Sequence, residues 1–494
     1  MTKSIGHRAT VLLIVSLALV LRVYIGITRS YEVHPDEVCD YLDRGFRLVY
    51  GYGCDPWTYT YGMRSYVFPG IIAGIIWLFS GPTNSPDVYI GAITVFMSLL
   101  SLSIVVCALE WGRRTGGWRG AIIAGFMAAT WFELIYYGPH TLSEVMATNF
   151  LVVAVCLYRD DSAAAPTHGR ALWIGLCLGL TVAFRLQLVP AAGVVVLWIG
   201  WRHGWRVMLR IAAAAAVPVF ATGMLDWVTY KYPFQSYFMY FYATLMSSIS
   251  SFYPTYPFYY YINVENHYLV GLFPAFVLAA LYGGRRQPLL LLVVAAIFVS
   301  HSAIGLKLPR YIYPTIPFAL VLAAQTVTEM LDRLARNLPP RRQAAALATL
   351  LLAFGTTSWS LAREGPFSAN WLRSSGAIAA SRVIAAKPDV CGIGGYKTGT
   401  TMYTGFVRWH HNVPVILISR PERFEQDAVS FNVLMTPDDV VPPGNLFTRV
   451  QCWPNGYTEA SYNHRTPDLC LWFRPGGCQA GAIADPDPDR PPGW

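Results

Sequence analysis

Asp36 and Glu37 stand side by side just after His34 and Pro35, at the point where the first long apolar run of the chain ends. A carboxylate held beside an incoming hydroxyl can act as a general base. The same two acids could instead open a helix, where carboxylates in the first turn gain about 0.3–1 kcal/mol from the helix dipole. Further ionisable residues recur at the ends of later apolar runs: Glu133, His140, Arg185, Asp226, Lys307 and Arg310. Buried charge at the centre of a bilayer costs about 2.5–3.5 kcal/mol on insertion scales, so repeated ionisable groups at such places call for a purpose. Arginine and lysine there suit an anionic ligand, with a carboxylate close by for proton transfer.

The elements that must position these groups are membrane helices. The chain has 494 residues, of which 54% are hydrophobic and 13% charged, against about 25% charged in soluble domains. Segments able to cross an apolar layer about 30 Å thick are expected at 10–27, 88–109, 119–137, 143–158, 171–184, 188–200, 207–228, 268–282, 288–303, 311–330 and 343–361. The apolar run 67–80 is short for a crossing and is read as interfacial or re-entrant. With that reading the basic groups Lys3/Arg8, Arg113/Arg114/Arg119, Arg159/Arg170, Arg202/Arg206/Arg210, Arg285/Arg286 and Arg333/Arg336/Arg341/Arg342 all fall on one side, as the positive-inside rule requires. About eleven transmembrane helices follow, with the N-terminus cytoplasmic as a signal anchor, and the net charge of +9 is explained without nucleic acid. Residues 1–361 form the membrane domain, 28–87 its long first external loop with interfacial helices, 362–480 an extracytoplasmic α/β domain, and 481–494 a disordered tail. In the first loop, Val38, Tyr41, Leu42, Leu48 and Val49 recur at helical spacing, with Asp40, Asp43 and Arg47 on the polar side.

Orientation also sorts the nine cysteines. Cys107, Cys156 and Cys177 fall in spans as small hydrophobes. Cys39, Cys54, Cys391, Cys452, Cys470 and Cys478 fall outside, where disulfides form. Cys39–Cys54 and pairs among the last four are expected, with connectivity open. In the outer domain, the stretches CGIGGYKTGTTMYTGF, HHNVPVILIS and FNVLM suggest short strands between turns. GIGGYKTGT lacks phosphate-loop spacing, and His410–His411 has no companion ligands for a metal.

Read together, these stretches resemble a known family. HPDEVCDYLDRGFRLVYGYGCDPWTYTYGMRSYVFPG is similar to the opening loop of the mannosyltransferases that build GPI anchors and N-glycan precursors, glycosyltransferase family 22. The matching positions are His34–Glu37, Tyr50–Gly53, Trp57 and Arg64–Pro69. GPHTLSEVMATN follows with His140 in place of the family's arginine and Glu144 in place of its asparagine. AFRLQ supplies Arg185, and DWVTY supplies Asp226 and Tyr230. LKLPRYIYPTIP supplies Lys307, Arg310, Tyr311, Tyr313 and Pro314, with Leu306 and Leu308 where the family has histidine and glutamate. The likeness runs in order over residues 20–320 and marks a divergent member.

The resemblance implies a polytopic fold of the GT-C type and an inverting transferase. It would move a mannosyl or similar residue from a polyprenyl- or dolichyl-phosphate carrier to a glycolipid or glycan, outside the cytoplasm, in a bacterial inner membrane or the endoplasmic reticulum. Asp36 would be the base, with Glu37 orienting the acceptor or replacing it. Lys307, Arg310 and Arg185 would neutralise the lipid phosphate. His34, Arg64, Asp226 and Tyr313 complete the expected substrate contacts. No cofactor is required by this scheme, with a divalent metal left open. Two other readings stand beside it: another GT-C transferase, of the protein O-mannosyl or lipid A aminoarabinose type, and a lipid-linked sugar flippase. A transporter built of paired repeats fits less well, because no internal repeat is visible.

Overall fold

The structure is a computed structural model describing residues 2–29, 31–81, 85–160, 163–247, 253–398, 404–418, 421–456 and 467–479. The tail expected at 481–494 lies outside the described residues. The chain divides into two compact units, Met1–Gly26 with Thr94–Ser368, and Ile27–Ile93 with Ala369–Trp494.

The first unit is helical. Most segments expected to be spans lie on a helix, but 119–137 is broken at Trp131 and 268–282 between Tyr268 and Phe273. Among the described residues five helices are long and apolar enough to cross a membrane: His7–Thr28, Pro86–Thr130, Trp205–Thr229, Pro309–Ala335 and Pro340–Arg363. A sixth is available if Tyr260–Tyr268 and Phe273–Gly284, bent by 108° at their junction, act as one. Ser143–Leu157, His168–Phe184 and Pro288–Ser302 are apolar but shorter. The Pro86–Thr130 run is two helices, because Gly116 and Gly117 leave helical geometry and Gly117 takes a φ of +58°, a conformation that glycine tolerates and side chains resist. Helices His168–Phe184 and Trp205–Thr229 pack closely at Gly175, where an added Cβ would overlap the Ile211 carbonyl. Small residues permit this backbone approach in an apolar medium.

Where helices break, polar groups must be re-satisfied. The helix ending at Thr130 turns at Trp131, and Arg22, fully buried in the first helix, covers that end. Its guanidinium donates to the carbonyls of Ala128 and Ala129 at 3.1 and 3.2 Å. Ser358 Oγ completes the joint, donating to the Thr130 carbonyl at 2.8 Å and accepting from Phe132 N at 3.0 Å. A cation at the negative end of a helix is favoured by the dipole, which accounts for an arginine buried in an apolar segment.

The second unit holds a five-stranded sheet, β1 Ile393–Tyr396, β2 Val415–Ile418, β3 Val433–Pro437, β4 Thr448–Trp453 and β5 Leu469–Phe473. Its order is β2-β1-β3-β5-β4, with β1 parallel to β2 and β3, and β5 antiparallel to β3 and β4. Strand alternation gives two cores. Leu469 and Leu471 face helix Ser375–Ala385 with Ile393, Val433 and Met435, while Cys470 and Trp472 face Tyr396, Ile416, Phe424 and Phe431. The strands expected around GIGGY, VILI and FNVLM are present. β4 and β5 were not expected; β4 is an exposed edge carrying Arg449 and Gln451 with no clean apolar alternation, whereas β5 is a buried apolar block, LCLWF, that the sequence reading passed over. Disulfides join Cys39–Cys54, Cys391–Cys478 and Cys452–Cys470, while Cys107, Cys156 and Cys177 are free.

The first-loop helices, Glu37–Leu42 in π geometry and Asp43–Tyr50, belong to this second unit. Their acids correct the expectation of an outward polar face. Asp40 and Asp43 are buried, and Leu48 is exposed. The reason is local: Asp43 accepts from Phe406 N at 3.0 Å and from Val407 N at 2.7 Å, capping the short helix Phe406–Trp409 from far away in sequence. Gly405 makes room for it at φ +88°, since a Cβ there would meet Asp43 Oδ1 at 2.5 Å. On the other side of the same helix, Gly45 lies against Ile72 of Val67–Ser80. Charge-assisted hydrogen bonds contribute about 1.5–3 kcal/mol each. Asp43→Ala is therefore expected to lower the unfolding free energy of this unit by roughly 3 kcal/mol. Thermal unfolding of the detergent-solubilised protein checks this, and a midpoint equal to wild type would contradict the capping role.

Candidate functional site

In the second unit the acids of the first loop separate into different environments. Glu37 is buried and turns back, its Oε2 accepting from Val33 N at 3.0 Å. Asp36 points the other way and keeps 35% of its side chain exposed. Its backbone N–H donates to His34 Nδ1 at 3.2 Å. The same Nδ1 lies 3.3 Å from Asp36 Oδ1. Arg64 Nη2 lies 3.9 Å from Asp36 Oδ2 but only 2.9 Å from Asp40 Oδ2. Its Nη1 donates to Tyr41 OH at 2.8 Å. Asp40 also accepts from Thr58 Oγ1 at 2.8 Å. The shorter, more buried contact is the stronger one, so Asp40 is the main counter-ion of Arg64 and Asp36 the looser neighbour. His34, Asp36 and Arg64, all expected at the site, are thus brought together. Asp40 is the partner that sequence reasoning placed on the solvent side, and its spacing to Arg64 gave no signal.

The first unit brings together two other expected residues around one that was noted only as a departure from the family. Glu144 is buried at the start of helix Ser143–Leu157. Its Oε1 lies 3.1 Å from Arg185 Nη2 and accepts from Arg310 Nε at 3.0 Å. Ser143 Oγ donates to Glu144 Oε2 at 3.1 Å and accepts from Arg185 Nη1 at the same distance. Both guanidiniums also lie against the Tyr311 ring, 4.9 and 5.2 Å from its centroid. Local structure explains the placement. Arg185 is the extended residue between His168–Phe184 and the next short turn, and Arg310 opens the 3-10 segment Pro309–Thr315. His301, buried one helix away, lies within electrostatic range of Arg185 and Glu144. Clustered arginines of this kind are suited to phosphate oxygens.

The other expected residues of this unit are engaged separately. Lys307 is buried and donates from Nζ to the carbonyls of Tyr256, at 2.8 Å, and Ile304. Desolvation lowers its pKa. Asp226 Oδ2 accepts from Ser236 N at 2.9 Å and from Ser236 Oγ at 2.6 Å, tying the helix end to the start of Gln235–Phe241. Tyr313 is buried with its ring 5.2 Å from that of Tyr137. Among the described residues no group of three His, Cys, Asp or Glu side chains is gathered as a metal site would need.

Residues 13–370 match the Alg9-like mannosyltransferase family. GPI mannosyltransferase 3 of Yarrowia lipolytica is 27% identical over 66% of this chain and 63% of its own length. GPI alpha-1,2-mannosyltransferase 3 of Bos taurus is 24% identical over 60% of this chain and 55% of its own. The chain therefore spans less than two thirds of these relatives. The fold is similar to the crystal structure of ArnT from Cupriavidus metallidurans bound to undecaprenyl phosphate, with a TM-score of 0.62 at 14% identity, covering 93% of this chain and 97% of that one. Mycobacterial arabinofuranosyltransferase AftD gives a TM-score of 0.50 at 15% identity, covering 96% of this chain and 40% of its own. The likeness to ArnT identifies a GT-C membrane fold with a C-terminal sheet domain.

Beside the acid cluster, a buried contact between Glu32 and Arg408 carries a pH signature. Glu32 accepts from Arg408 Nε at 3.1 Å. Burial pushes its carboxyl up to about 8, with Arg408 opposing and the nearby Glu37 and Asp43 adding to the rise. An acid with a raised folded-state pKa gives stability that is full below its ordinary value and is lost as pH climbs through the folded value. Wild-type stability is therefore expected to fall, relative to Glu32→Gln, between about pH 4.5 and 8. Parallel thermal-unfolding series of the two proteins test this, and a constant difference across that range would refute it.

Proposed function

The chain belongs to the Alg9-like mannosyltransferase family, and from that premise we propose that it is an inverting mannosyltransferase using a polyprenyl- or dolichyl-phosphate sugar and a glycolipid or glycan acceptor. The observation that carries this reading is the family match over residues 13–370, which includes both the first-loop acids and the arginine cluster. The basic loops support a further reading of about eleven spans with the N-terminus cytoplasmic and the sheet domain on the opposite side.

The chemistry divides into two tasks. Asp36, the more exposed acid of its pair, takes the proton from the acceptor hydroxyl. The freed oxygen attacks the anomeric carbon from the face opposite the phosphate, the sugar–phosphate bond breaks, and the carrier leaves as a phosphate monoester. That leaving group is already stabilised as an anion, so one base suffices, without the second carboxyl that glycosidases use to protonate an alcohol. Arg310 and Arg185 stabilise the developing phosphate charge. Glu37 and Arg64 hold the acid loop in shape, the first through Val33 N and the second through Asp40. His34, Lys307, Asp226 and Tyr313 complete the proposed substrate shell, Lys307 by fixing the segment that leads into Arg310.

Asp36→Asn is expected to reduce transfer by at least a thousandfold while protein yield and carrier-phosphate binding stay near wild type. Purified protein with polyprenyl-phosphate mannose and product detection by mass provides the measurement. Turnover close to wild type would place the base elsewhere. Arg310→Ala is expected to weaken carrier-phosphate binding at least tenfold, and unchanged binding would remove the arginine cluster from the phosphate site.

A further inference from the structure

A carboxylate at the centre of a phosphate-binding cluster works against anion binding, yet Glu144 is held there by both guanidiniums and by Ser143. We propose that Glu144 is a charge filter that favours the donor over the spent carrier. This rests on the reading of Arg185 and Arg310 as the lipid-phosphate site. The two lipids differ most in charge. The donor is a phosphodiester with one negative charge at any physiological pH. The product is a monoester whose second ionisation lies near pH 6, so that it carries about −1.5 to −2 at pH 7. Repulsion from a fixed carboxylate acts on each of those charges. At about 6 Å and an effective dielectric of about 40, between protein and bulk water, it amounts to roughly tenfold in binding per phosphate charge. Glu144 therefore weakens the dianionic product about tenfold more than the monoanionic donor, and the spent carrier leaves. The same carboxylate keeps the two guanidiniums beside Tyr311 when no lipid is bound, which makes it a positioning residue rather than a catalytic one.

Among the described residues, Arg185 and Arg310 face Glu144, Tyr311 lies against both guanidiniums, and His301 of the neighbouring helix is within electrostatic range. Donor and product meet all of them alike, so the donor serves as the control for any pH effect they cause. The experiment measures dissociation constants of the full-length protein for a polyprenyl phosphate and for the matching polyprenyl-phosphate mannose. Wild type, Glu144→Gln, Glu144→Asp and Arg310→Ala are compared at pH 5.5 and 7.5. At pH 7.5 Glu144→Gln should tighten the product about tenfold more than the donor, and product inhibition of transfer should rise in step. At pH 5.5, where the product is mostly a monoanion, that excess should shrink to within about threefold. Glu144→Asp should keep the wild-type preference, because the charge is retained. If Glu144→Gln changes both lipids by one factor at both pH values while Arg310→Ala still loses binding, the filter is wrong and Glu144 is structural support alone. If Arg310→Ala leaves carrier binding unchanged, the phosphate reading itself falls.

Discussion

No ionised group can be taken into an apolar interior without a partner, and that constraint organises the whole structure. Arg22 lies in the first apolar helix and is matched to the carbonyls of Ala128 and Ala129. The helix it covers must end there, so the break at Trp131 and the buried cation require each other. Arg185 and Arg310 come from segments more than a hundred residues apart and are matched to one oxygen of Glu144. Arg64 is matched to Asp40, and Asp43 to the backbone amides of Phe406, Val407 and Cys54. Each of these pairings occurs at a helix start, a helix end or a short connecting turn, the places where an apolar helix bundle leaves backbone groups to satisfy.

Carboxylates therefore divide by what they serve. Asp43, Glu37 and Asp226 each accept from backbone N–H groups, and their removal would disturb local chain geometry. Asp40 serves a guanidinium. Asp36 makes longer contacts with His34 and Arg64 and stays partly exposed. Of the acids in that cluster, it is the one with solvent access beside an imidazole and a cation. Arg64, one of the neighbours that confine it, is itself held by Asp40.

Much of this was legible in the sequence. Apolar runs located most of the helices, because period and length follow directly from burial in an apolar layer. Arg185 and Arg310 stood out for the same reason, as charges at the ends of such runs. GIGGY, VILI and FNVLM read as strands from short apolar blocks between turn residues. What was missed depended on distance along the chain. The outward polar face assigned to Asp40 and Asp43 followed correctly from helical spacing, yet Phe406, Val407 and Arg64 supply donors that draw those acids inward. β4 was missed because an exposed edge strand has no apolar alternation to display. Arg22 was hidden inside a run scored as uniformly apolar, since hydropathy averages over the one residue that matters there.

Glu144 illustrates why departure from a family pattern can be more informative than agreement with it. Two guanidiniums packed against one aromatic ring repel each other, and in dry surroundings that repulsion is large. An anionic ligand relieves it only while bound. A resident carboxylate relieves it at all times, so the arginines can remain in binding geometry through every turnover. Such preorganisation lowers the reorganisation required when charge develops on a leaving phosphate. It also opposes the anion that the cluster attracts, and the opposition grows with that anion's charge. On the proposed reading of the cluster as the phosphate site, such a site is limited both by how well it holds its arginines and by how readily it releases what they bind, and a single buried acid would set both limits.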